Sequence, residues 1–229
     1  MYVTVGSGNS GSGGELVLSA GTSSFSSGGR VVLESGHSGT FSSGAMLLHT
    51  PNAGTNGVSG YMVLSTGTTS VGNSGDIYVG SGVSTSGRGG SIYIMVGSGD
   101  SGSGGELVLS AGTSSFSSGG RVVLESGHSG TFSSGAMLLH TPNAGTNGVS
   151  GYMVMSTGLS NQGNTGALFV GSGTSTSGRG GSMYVTVGSG NSGSGGELVL
   201  SAGTSSFSSG GRVVLESGHS GTFSSGAML

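Results

Sequence analysis

Glu34, His37 and His49 stand close together in the chain, and the set returns as Glu125, His128 and His140. Two imidazoles and a carboxylate are a minimum for holding a zinc-like ion. Their placement argues against that use. Glu34 and His49 belong to strand-like segments, whereas His37 lies past a glycine corner, so surface polarity repeated along the chain explains them better. Calcium-binding rolls need a regular aspartate in a glycine-rich turn. Asp76 and Asp100 are isolated, and Asp100 is replaced by Asn191 one repeat later. A phosphate-binding loop needs a lysine, and the sequence has none; a dinucleotide fingerprint needs a helix after its glycines. A catalytic pocket needs loops that bring acids and bases together. The repeat never changes length by more than one residue, which leaves no loop for this. The expectation is a non-enzyme with no catalytic, metal-binding or cofactor-binding residues.

The elements that carry these residues share one plan. Residues 15–21, Glu-Leu-Val-Leu-Ser-Ala-Gly, form an apolar stretch that leaves Gly14 and enters Gly21. Equivalent segments start at residues 30, 45, 61, 76, 91 and 106, in steps of 15, 15, 16, 15, 15 and 15 that span 91 residues. Residues 1–47 are identical to residues 183–229. A fixed short period is the mark of a repeat architecture. Each step has room for two short strands and two corners, with a return such as residues 22–28 made of Ser, Thr and Gly around Phe25. Glycine suits such corners because it tolerates positive φ and close backbone approach. Pro51 takes the corner in the one 16-residue step.

The predicted fold is all-β: a parallel β-solenoid with about 15 residues per coil and a six-coil, 91-residue superrepeat. Coils stacked about 4.8 Å apart would advance about 28 Å per superrepeat, and about 70 Å over the chain. Residues 1–229 read as one continuous solenoid, with units 15–105 and 106–196 and a partial unit 197–229. The absence of atypical end repeats predicts an uncapped window of a longer tandem array.

Side chains alternate across a strand. One set, including Leu16, Leu18, Val31, Leu33, Met46 and Leu48, carries no charge and is the expected core. The opposite set carries an outer charge ladder, with Glu15 facing Arg30 and Glu34 facing His49 in adjacent coils. Its middle column is an apolar stripe of Val17, Val32, Leu47, Val63, Tyr78 and Tyr93. The next unit repeats the stripe as Val108, Val123, Leu138, Val154, Phe169 and Tyr184. A continuous exposed apolar stripe marks an interface, so lateral self-association of paired or bundled rods is expected.

Composition narrows the role. Glycine contributes 55 of 229 residues, which by itself points to a linker, a silk or a disordered coat. The regular apolar clusters and the mean hydropathy of +0.15 oppose disorder. Collagen is excluded by two prolines and no Gly-X-Y period. A net charge of −3 gives no footprint for nucleic acid, and no apolar run is long enough to span a membrane. With no cysteine there is no disulfide framework, and with no Asn-X-Ser/Thr sequon any glycan would be O-linked.

The strings SGSGGELVLSAG, SSGGRVVLESGHSG and STSGRGGS resemble the Gly/Ser-rich tandem repeats of large secreted β-solenoid proteins, among them fibres and adhesives of algae such as diatoms. The resemblance implies an extracellular or cell-surface structural filament. Two other roles compete with it. One is a surface-binding module, ice-binding or adhesive, acting through the Ser/Thr/Gly-rich face; the column Thr22, His37, Asn52, Thr68, Val83, Ser98 is irregular for ice. The other is a flexible secreted coat.

Overall fold

The computed structural model describes residues 2–228. Met1 and Leu229, at the outer ends of the first and last expected strands, lie outside the described residues. Two units are distinguished, Met1–Ser110 and Ala111–Leu229. Within each, apolar six-residue segments alternate with short closed loops.

The solenoid expectation is overturned. Among the described residues there is no strand and no helix, so neither of the two strands expected per coil forms. The columns expected inside are as bare as those expected outside: Leu18 is 71% exposed and Val17 70%. No side chain is buried among the described residues. A compact monomer of 21.7 kDa exposes roughly 9,000 Å² and its unfolded chain roughly 31,000 Å². The 22771 Å² exposed here falls nearer the second value.

The physical reason lies in where the backbone closes. A solenoid pairs each residue with its equivalent 15 positions on. Here the pairing is eight positions on, within a single repeat. The N–H of Gly29 donates to the carbonyl of Gly21 at 2.7 Å, and Gly44 to Gly36 at 2.8 Å. In the second unit Gly120 to Gly112 and Gly135 to Gly127 repeat this at 2.8 Å. Each bond ties the corner after one segment to the corner before the next, forming a loop neck. Among the described residues every other backbone-to-backbone bond is either another such neck or one of the turns at 54–57 and 145–148. The segments between necks make none. A neck closes a shorter stretch than a full coil, and shorter closures cost less entropy. Two core side chains per 15 residues also bring little apolar burial against the ordering of so many glycines.

Glycine therefore serves the necks through its size. A methyl group on Gly29 would stand 3.0 Å from the Gly21 nitrogen and 3.2 Å from Cβ of Ala20. Positive φ, expected at the corners, occurs among the described residues at Gly72 alone, at 109°.

A second closure depends on the residue just before the first corner. Where it is Ser or Thr, the hydroxyl can donate to the carbonyl of the glycine before the next segment. Thr50 donates to Gly60 at 3.0 Å, Thr66 to Gly75 at 3.0 Å and Ser81 to Gly90 at 2.9 Å. Thr141 to Gly151 and Ser172 to Gly181 repeat it in the second unit. Ser35 supplies this bond to Gly44 in addition to the backbone neck. Where the position is apolar, as at Val5, Ala20 and Val96, the backbone bond closes the neck alone. The extra residue of the 16-residue step is absorbed inside the loop from Pro51 to Gly60, which contains the turn in which Gly57 N–H donates to Gly54 O.

Candidate functional site

The loops carry an internal brace that places one side chain outward. The second residue after the corner is Ser in many of them, and its Oγ accepts from amides further round the loop. Ser23 accepts from the N–H of Phe25 at 3.4 Å and of Ser26 at 3.0 Å. Ser38 accepts from Thr40 at 3.4 Å and Phe41 at 2.9 Å. Ser114, Ser129, Ser205 and Ser220 do the same in the second unit. These are the local side-chain-to-backbone turns that serine favours.

The brace positions phenylalanine at the loop tip. Phe25 is 102% exposed and Phe41 88%. Phe116, Phe132, Phe207 and Phe223 stand out in the same way. Sequence reasoning noted Phe25 only as the apolar member of a polar return. The recurrent signal was a serine two residues past the corner with phenylalanine two or three residues beyond it.

The necks and braces are also where the described residues find their cover. Among the described residues the partly covered ones are Ala20, Ser35, Ser38, Thr50, Ala111, Ser126, Ser129, Ser160, Ala202 and Ser220. Each precedes a corner or is a bracing serine. Replacing Ser38 with alanine removes two accepted bonds and about 1 kcal/mol of loop order. Amide exchange at Phe41 should then quicken about fivefold, read by hydrogen-exchange NMR, with Phe25 in the neighbouring loop unchanged.

The residues of the expected outer stripe stand bare one by one. Val17, Val32, Leu47, Val63, Tyr78 and Tyr93 are each more than half exposed, and so are Val108, Val123, Leu138, Val154, Phe169 and Tyr184. Glu15, Arg30, Glu34 and His49 of the expected charge ladder are exposed as well. Without coil stacking, the register that was to set Glu15 against Arg30 is absent. Among the described residues no three His, Asp or Glu side chains gather as a metal site, and there is no cavity. No helix among them is long and apolar enough to cross a membrane.

One polar pair stands on the stripe itself. The Tyr78 hydroxyl donates to Oδ2 of Asp76 at 3.0 Å. Arg88 reaches the Ser91 hydroxyl at 3.3 Å, and Arg179 reaches Ser182 at the same distance.

No protein-family model matches the chain, and no curated protein or solved structure matches it either.

Proposed function

We propose that this is a structural protein whose work is self-association, with its repeated apolar segments covered by other copies of the same chain. The observation that carries the reading is the bareness of those segments. Their side chains are exposed and their backbone groups make no bonds to other backbone among the described residues. Bare apolar segments repeated along a chain mark an interaction surface, and unpaired backbone polar groups are a template for pairing with another chain.

The segments have the right character for it. Residues 91–96, Ser-Ile-Tyr-Ile-Met-Val, contain five apolar residues, no charge and no proline. Residues 182–187, Ser-Met-Tyr-Val-Thr-Val, are their counterpart. Short, uncharged segments rich in β-branched and aromatic residues are the ones that pair between chains. With only 6% charged residues and a net charge of −3, little repulsion opposes association. Every copy presents the same segments at the same spacing, so many weak contacts add along the chain. The likeness of the Gly/Ser-rich repeats to those of secreted fibre proteins supports a place outside the cell, in a fibre or a surface layer.

The competing role in surface binding gains from one feature and loses by another. The serines best placed for a hydroxyl-rich face are bound to amides of their own loops, which counts against ice. The exposed phenylalanine tips favour contact with apolar material. Sedimentation of the full chain over a wide range of concentrations tests the choice. Mass that rises with concentration supports self-association. A chain that remains monomeric throughout, yet is retained on an apolar surface, overturns it in favour of adhesion.

A further inference from the structure

The sequence denies this chain the commonest covalent cross-links. It has no cysteine for disulfides and no lysine for amide or aldehyde-derived links. It does have six tyrosines, and all of them are largely exposed. One differs from the rest. Among the described residues Tyr78 alone has its hydroxyl bound to a side chain, the Asp76 carboxylate, at 3.0 Å. One-electron oxidation of a phenol proceeds with loss of its proton, and a carboxylate already hydrogen-bonded to that proton is placed to take it. One repeat later both partners are gone together: Asp76 becomes Ala167 and Tyr78 becomes Phe169. The phenol and its proton acceptor thus occur as a unit.

We propose that Tyr78 is the preferred site of oxidative tyrosine cross-linking between copies, with Asp76 as its proton acceptor. The oxidant is hydrogen peroxide acting through a haem peroxidase. The identity of the second copy rests on the self-association reading. Two phenols each give up one electron and one proton, the Tyr78 proton passing to the Asp76 carboxylate and on to water. The two phenoxyl radicals form a carbon–carbon bond between ring positions ortho to oxygen. The hydrogens displaced from those carbons return to the oxygens, which restores both aromatic rings. Hydrogen peroxide takes up the two electrons and two protons and leaves as two molecules of water.

The full chain, first sized by sedimentation, is treated with a haem peroxidase and hydrogen peroxide and compared with Tyr78→Phe, Asp76→Asn and Asp100→Asn. Covalent multimers with dityrosine emission are expected, with peptide mapping that places most of the links at Tyr78. Tyr78→Phe and Asp76→Asn should each slow their formation severalfold, while Asp100→Asn, a carboxylate outside the apolar segments, leaves it near the parent rate. These side chains are exposed, so none of the changes removes buried packing. Links spread evenly over Tyr2, Tyr61, Tyr93, Tyr152 and Tyr184, with Asp76→Asn at the parent rate, overturn the proposal. Assembled chains that yield no dityrosine also overturn it and leave the association reading standing. A chain that is monomeric before oxidation, and then links within itself through Tyr78, overturns the association reading and supports the preference for Tyr78.

Discussion

A chain in which Val17, Val32 and Leu47 are all replaced by serine associates about a thousandfold more weakly than the parent, with its loops unchanged. Covering a valine or leucine side chain contributes about 1.5 kcal/mol at the low end of the usual range, which is close to a factor of ten in affinity. Three independent losses multiply. The three side chains are already exposed in the single chain, so their removal costs the monomer no packing. Concentration-dependent sedimentation gives the midpoint of assembly for each variant. As a control, Glu15→Gln with Arg30→Gln should move that midpoint by no more than a few-fold, because both charges are exposed and exposed charges contribute little. A triple variant that assembles like its parent would mean that the stripe is not what copies cover.

The repeat itself was legible in the sequence, and so were its punctuation points. The glycines at 14, 29 and 44, read as corners, are the residues whose N–H groups close the necks. Which residue each corner would meet was not legible. Alternation in a segment such as residues 15–20 states that one face wants cover; it does not say whether the cover is the next repeat or a different chain. Both readings need the same six residues, and the structure leaves the segment unpaired. The hydroxyl closures were closer to hand. Ser35, Thr50, Thr66 and Ser81 continue the alternation of the uncharged face, and their hydroxyls donate to the carbonyl of the next corner. The phenylalanine tips were hidden by composition, since one aromatic among serines and glycines looks like filler until the serine brace around it is seen.

Loop chemistry also changes where the loop sequence changes, as between residues 67–75 and 158–166, which makes corresponding glycines unequal. In the loop of residues 67–75 the second position is Thr69, whose Oγ1 donates to the Val71 carbonyl at 3.0 Å. One repeat later it is Ser160, which instead accepts from the N–H of Gly163 at 3.0 Å. Gly72, the counterpart of Gly163, has φ at 109°, whereas Gly163 does not take a positive φ.

Four alanine substitutions therefore separate the uses of glycine in this chain. Gly21→Ala should be neutral or slightly favourable. Its φ is not positive, nothing lies within 4 Å of the new methyl group, and alanine restricts the unfolded chain by about 0.4–1 kcal/mol. Gly29→Ala should open the neck, because its methyl group would meet the Gly21 nitrogen at 3.0 Å, backbone that has no freedom to swing aside. Loss of the 2.7 Å bond together with that crowding is expected to cost about 1–3 kcal/mol of local order, enough to raise exchange of the residue-29 amide by roughly one to two decades. Gly72→Ala should cost a similar amount through backbone strain alone, since no neighbouring atom lies closer than 4.0 Å to its methyl position. Gly163→Ala, at the equivalent place in the next repeat, should cost less than Gly72→Ala. Its methyl group would meet only the Ser160 hydroxyl, at 3.4 Å, on a backbone free of that strain. Residue-resolved amide exchange on the four variants reads these differences directly. Equal effects at positions 21 and 29 would mean that the neck bond does not hold the loop, and equal effects at 72 and 163 would remove the strain from the account.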